Sequence, residues 1–280
     1  MIKRIAFWGI AWAQLSITTG VIGRDERFQL KRPSAAEIDS LRRLAFQGDV
    51  QAQMAMVEYY QLIELRSDSA RFYLTQAARK GLPEAQYLLG LSYLRGVEGP
   101  RRPIEGRKLL EAAAKQNYIL AIRVLYEVLE PPDSISPLTV AVLPYNPRQA
   151  FEYASQGAKL GDPLSMTALG RYYAQGKGTA RNDSLAHFWL LQAAEKGYIP
   201  AQVLLAEWCF EKWNNPKEAL YWANQVIQNE RASLEEQYRA RIAAYTAEYF
   251  PRWLRWFRRW LLLPEHIPQW VDKIRGLEKN

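Results

Sequence analysis

The 280-residue sequence predicts an all-α chain of about five stacked helix-turn-helix repeats closed by helical caps. Two recurring patterns carry that prediction. The first is the stretch from Lys80 to Gly96, in which Gly81, Ala85, Leu89, Gly90 and Tyr93 mark one copy. The same places are held by Gly48, Ala52, Met56, Val57 and Tyr60 upstream, and by Asn117, Ala121, Leu125, Tyr126 and Leu129 downstream. Two further copies follow, as Gly161, Ser165, Leu169, Gly170, Tyr173 and as Gly197, Ala201, Leu205, Ala206, Cys209. The copies recur at about three dozen residues, stretched once by an insertion, which is the period of helical repeats.

The second pattern follows each copy and reads small-x-x-aromatic-x-x-x-small-small. Its copies are Ala70, Tyr73, Ala77, Ala78; Gly106, Leu109, Ala113, Ala114; and Ala150, Tyr153, Gly157, Ala158. Ala186, Trp189, Ala193, Ala194 and Ala219, Trp222, Val226, Ile227 complete the set. These offsets place all four residues on one helical face. The small residues let backbones approach closely, and the aromatic fills the gap between repeats.

From the start of the chain, Met1-Ile-Lys-Arg is followed by an uncharged run from Ile5 to Gly23 containing Trp8 and Trp12. A basic start before an apolar run reads as an export signal over residues 1–22, while the same run is long enough to serve as an uncleaved anchor. Lys3 and Arg4 keep the N-terminus cytoplasmic in either case, so the expected location is periplasmic, or inner-membrane-associated and facing the periplasm. Residues 23–33 are a polar connector, and 34–249 carry the repeats. Ser34 and Glu37 form a capping box that opens the first helix, Ala35 to Phe46, as an N-terminal half-repeat. An insertion at 131–146 with four prolines breaks the period and cannot be one continuous helix. It reads as a loop that packs its own apolar part, or as a recognition loop. Ser233 opens a further helix that runs to about Tyr249.

Residues 250–280 form a basic aromatic helix and tail. Trp253, Trp256, Phe257 and Trp260 share one face, and Arg252, Arg255 and Arg259 lie away from it. Three readings fit: a cap on the last repeat, an interfacial helix contacting a membrane surface through 252–263, or a dock for an acidic partner.

Together these marks resemble the Sel-like repeat family, a branch of the tetratricopeptide-type helical solenoids. The second and fourth copies carry the resemblance best, with Leu89-Gly90 and Leu169-Gly170 and the glycine loops Gly96-Val97-Glu98-Gly99 and Gly176-Lys177-Gly178. The resemblance implies a right-handed α-solenoid whose inner face is lined by the first helix of each pair. By register, that face carries Tyr87, Leu91, Arg95, Arg123, Glu127, Thr167, Arg171, Val203 and Glu207. Mixed charge with aromatic and apolar spots suits a protein or peptide ligand. The expected role is a non-catalytic scaffold or adaptor in a bacterial envelope assembly. The runners-up are a glycan- or peptidoglycan-binding module and a cytoplasmic regulatory adaptor.

Composition narrows the function classes. The net charge is +8, but residues 1–35 and 231–280 each carry +4, so the repeats sum to zero. A nucleic-acid-binding solenoid needs a basic stripe along its groove, and none is present, so no nucleic-acid partner is expected. Cys209 stands alone in the sequence, so no intramolecular disulfide forms and no cysteine-based metal site is expected. The two histidines, His187 and His266, are not spaced as a metal pair. Gly176-Lys177-Gly178-Thr179 lies between helices and follows no strand, so it is not a phosphate loop. No catalytic constellation, cofactor or metal is expected.

Overall fold

The computed structural model describes residues 33–64, 67–97, 100–129 and 144–249. The predicted segments 1–22 and 250–280 and most of the insertion lie outside them. The described residues form twelve helices and no strand. In order these are α1 (Ala35–Phe46), α2 (Val50–Leu62), α3 (Ser67–Arg79), α4 (Pro83–Arg95), α5 (Pro103–Lys115) and α6 (Ile119–Val128). They continue as α7 (Pro147–Lys159), α8 (Pro163–Gln175), α9 (Asp183–Glu195), α10 (Ile199–Glu211), α11 (Pro216–Ile227) and α12 (Leu234–Tyr249). The chain divides into two compact units, residues 1–153 and 154–280.

In the first unit α2 packs on α3 and α4 on α5, with lesser contacts linking α3 to α4 and α5 to α6. The core is the face marked by the repeat pattern: Ala52, Met56, Ala70, Ala77, Ala85 and Leu89 are all buried. Gly90 and Gly106 face each other across α4 and α5. A Cβ on Gly90 would lie 2.9 Å from the Gly106 carbonyl oxygen, and one on Gly106 would lie 2.8 Å from the Gly90 oxygen. Glycine is therefore required on both helices, because a methyl on either meets main chain that cannot move aside.

In the first two repeats the first helix of the pair also caps the helix before it. The buried Gln53 donates through Nε2 to the carbonyl of Ala45, and Gln86 does the same to Ala78. Each adds a second hydrogen bond to a last-turn carbonyl that also accepts the main-chain N–H of the following loop glycine, Gly48 or Gly81. Since Ala45 lies in α1, that helix occupies the place of a second helix and caps the array as a half-repeat. Its Ser34–Glu37 capping box forms as expected.

In the second unit α8 packs on α9, α10 on α11, and α12 on both α10 and α11. Gln202 repeats the carbonyl cap, donating to Ala194. Ala186, Ala193, Ala194, Ala219, Trp222 and Val226 are buried as the second pattern requires. The loop glycines Gly96 and Gly176 are left-handed C-caps in their respective units, with φ of 71° and 69°. That conformation ends a helix at little steric cost only when no Cβ is present.

Candidate functional site

In the first unit α4 presents Glu84, Tyr87, Leu91 and Arg95 along one face, at spacings of three and four. Pro83 starts this helix and left-handed Gly96 ends it, so the row runs from an acidic to a basic end. Beside it, Tyr118 caps α6 and its ring centroid lies 5.5 Å from that of Tyr87. Arg123 and Glu127 lie one and two turns into α6, and Glu58 projects from α2.

These groups sense one another. Burial raises the Tyr87 phenol; Arg95 and Arg123 oppose that rise and Glu127 adds to it. Tyr118 is pushed up to about 12 by burial and by the nearby charge of Glu84. Burial, reinforced by repulsion from Glu84, lifts the Glu58 carboxyl to about 7. Glu84 is itself raised by burial. The arrangement is a partly buried strip with carboxyls at one end, two tyrosines in the middle and, at the other, the Arg95 and Arg123 guanidinium groups with the Glu127 carboxyl among them. It can receive a cation, an aromatic or apolar group, and an anion in turn.

Four residues expected on the binding face, Tyr87, Arg95, Arg123 and Glu127, thus come together, and Leu91 lies half-buried in the same row. Glu58, Glu84 and Tyr118 were not expected. The signal for Glu58 was available: it holds in the first copy the register that Leu91 holds in the second.

The second unit treats its four expected residues differently. Arg171 is exposed. Val203 is 1% exposed and Thr167 7%, so neither presents a side chain at the surface, correcting their placement on an open face. Both are short, and the Thr167 hydroxyl donates to the carbonyl of Pro163. Glu207 accepts two hydrogen bonds from the Arg239 guanidinium of α12, at 2.9 and 2.8 Å. The residues expected to dock a membrane or partner, Arg252 to Trp260, lie outside the described residues. Among the described residues no helix is long and apolar enough to cross a membrane.

One group of side chains among the described residues can hold a metal. His187, Cys209 and Glu218 bring their ligand atoms within 4.8 Å of one another. The sequence spacing did not anticipate this grouping: helix packing brings an imidazole and a carboxylate beside the lone cysteine.

The Sel1 repeat family model matches residues 51–82, 83–118, 141–162 and 163–198. The chain is 30% identical over 161 residues to Chitin synthase regulatory factor 3 of Schizosaccharomyces pombe, covering 54% of this chain and 17% of that protein. It is 34% identical over 119 residues to an uncharacterized protein of Neisseria meningitidis, covering 42% of this chain and 23% of that one. The chain therefore spans under a quarter of the length of either relative. The solved structure of a Sel1 repeat protein from Oxalobacter formigenes superposes with a TM-score of 0.56 at 24% identity, over 69% of this chain and 84% of that one. That likeness shows the α-solenoid fold.

Proposed function

The chain belongs to the Sel1 repeat family, whose members in general mediate protein–protein interaction without catalysis, and we propose that it is a scaffold that holds its partner on the α2–α4–α6 strip of the first unit. The single observation that carries this reading is the convergence of Tyr87, Tyr118, Arg95, Arg123, Glu58 and Glu84 on the first helices of successive repeats. Half-buried tyrosines and arginines are the side chains that dominate protein interfaces. The partner segment carries a basic side chain for Glu58 and Glu84, an aromatic or apolar one for the tyrosines and Leu91, and a carboxylate for Arg95 and Arg123.

The scaffold operates in a bacterial envelope assembly, facing the periplasm. The basic start and uncharged run of residues 1–23 support this placement. A second reading, a regulatory adaptor of cell-wall polysaccharide synthesis, draws on the likeness to the fission-yeast regulatory factor. The two readings share the same strip and differ in the partner it holds.

Affinity capture from the native cell tests the strip. Tyr87→Ala and Arg123→Glu are expected to weaken recovery of the partner at least tenfold, with helical circular dichroism unchanged. Lys108→Glu, on the exposed side of α5, is expected to leave recovery intact. Full recovery with folded Arg123→Glu protein would overturn the assignment.

A further inference from the structure

In the second unit three ligand-type side chains meet from three consecutive helices. His187 comes from α9, Cys209 from α10 and Glu218 from α11. His187 Nε2 lies 2.8 Å from Glu218 Oε1, and the Cys209 thiol hydrogen-bonds to the same carboxylate. Asn215 donates through Nδ2 to the other carboxylate oxygen at 2.8 Å and so fixes its orientation. The Asn215 main-chain N–H donates to the Cys209 carbonyl at 2.6 Å, tying the loop to the cysteine. Trp213 packs edge-on against the imidazole, with ring centroids 5.0 Å apart.

The repeat itself provides a control. In the first unit the residue at the register of His187 is Arg107, that of Glu218 is Gln149, and that of Cys209 is Leu129. Arg107 bonds Gln149 at 2.8 Å, so the contact between consecutive second helices is a general feature of the fold. Leu129 fills the third position and is wholly buried. In that unit none of the three is a metal ligand. In the second unit all three are of metal-ligating type, so the donor set belongs to this place and not to the repeat.

We propose that His187, Cys209 and Glu218 form a site for one thiophilic divalent cation of the zinc class. Tetrahedral zinc with bonds of about 2.0–2.3 Å separates its ligand atoms by about 3.3–3.8 Å. The three ligand atoms lie within 4.8 Å of one another, with His187 Nε2 and Glu218 Oε1 at 2.8 Å, so the set brackets those separations. Thiolate and carboxylate together carry two negative charges, which neutralise the ion, while the imidazole stays neutral. A thiolate in the set favours zinc or cobalt over magnesium or calcium. Binding forms a metal–sulfur bond and releases the thiol proton to solvent.

Access and openness follow from burial. Cys209 is 0% exposed, whereas the His187 and Glu218 side chains are 31% and 22% exposed. The ion therefore enters on the imidazole–carboxylate side, with its sulfur bond innermost. Three protein ligands leave a fourth position on that side for water or for a donor from a bound protein. The ion would join the second helix of one repeat to both helices of the next.

The test uses the full chain without added histidines, stripped of metal and titrated with Co²⁺. The expected result is a band from thiolate-to-cobalt charge transfer, with the visible bands of tetrahedral cobalt, saturating at one equivalent and displaced by Zn²⁺. His187→Gln is expected to weaken Co²⁺ binding more than about 100-fold, because loss of a ligand exceeds the loss of an outer-shell partner. Cys209→Ala is expected to abolish the charge-transfer band. If Cys209→Ala does not fold, His187→Gln and the Zn²⁺-dependent rise in the wild-type melting temperature, expected to vanish in Glu218→Gln, decide the matter. Absence of a stoichiometric band, or a band undiminished in His187→Gln, overturns the site.

Discussion

The two units bury the same repeat register to different depths. Two residues before the repeat leucine, the first unit places Tyr87 and Arg123, whose long side chains reach solvent, and the second places Thr167 and Val203, which are buried. Two residues after it, the first unit leaves Leu91 and Glu127 half-buried, whereas in the second Arg171 is exposed and Glu207 is clamped by Arg239 of α12. At the earlier of these two places a polar or charged long side chain reaches solvent, while short or apolar ones, Met54 of the first unit included, are buried. One unit thus keeps a polar strip half-open, and the other buries or pairs most of the equivalent positions; its thiol–imidazole–carboxylate cluster stands at other places in the repeat.

The largest expected effect separates the units by how closely their helices approach. Gly90→Ala drives a methyl against the Gly106 carbonyl and is expected to destabilise the chain by about 2–3 kcal/mol. Gly170→Ala meets the buried Leu190 side chain at 2.8 Å and main chain, the Ala186 carbonyl oxygen, only at 3.1 Å, and is expected to cost less, about 1–2 kcal/mol. Urea unfolding of both variants checks the order, and equal losses would show that the α4–α5 contact is not the tighter one.

A smaller effect is expected at the clamp. Arg239→Ala leaves Glu207, whose side chain is 16% exposed, without its two hydrogen bonds. The expected loss is about 1–2 kcal/mol, limited because Arg239 itself is 40% exposed. A Glu207→Ala, Arg239→Ala double mutant is expected to lose less than the two single changes combined.

The smallest effect concerns Glu58. Its folded carboxyl titrates at about 7 against an ordinary value of 4.5, so between those values the folded state holds a proton that the unfolded state has lost. Stability therefore falls as pH rises from 4.5 to 7, and the penalty is fully present above 7. Glu58→Gln removes it. The variant is expected to gain about 1 kcal/mol at pH 8, after allowance for solvent screening, and nothing at pH 4. A pH-independent gain would show that Glu58 is destabilising for some reason other than its charge.

The fold was legible because its signals are local and repeated. Small residues at fixed offsets, left-handed glycines after helices and the Ser34–Glu37 box each announce a helix end or a buried face. The polar strip was legible in part. Starting the register at Leu89 found Tyr87 and Arg123 and omitted Glu58, one copy earlier. Glu84 and Tyr118 were missed because their approach to Tyr87 and Glu58 depends on how neighbouring helices pack. Thr167 and Val203 were misplaced because register gives direction but not depth. The His187–Cys209–Glu218 cluster has no motif spacing, since its members stand 22 and 9 residues apart on three helices. The signal lay in aligning copies: His187 follows the small residue Ala186, Glu218 precedes Ala219, and Cys209 takes the tyrosine place of the intervening helix.

The measurement that tests the central claim most directly is site-specific photocrosslinking in the native cell. A photoreactive residue is placed at Leu91 on the strip, at Arg171 in the equivalent register of the second unit, and at Lys108 on α5. The expected result is one partner crosslinked strongly from Leu91 and not from Lys108, with the Leu91 product lost when Arg123→Glu is added. Crosslinking of the partner from Lys108 or Arg171, with none from Leu91, would contradict the assignment of the binding face to the first unit's strip.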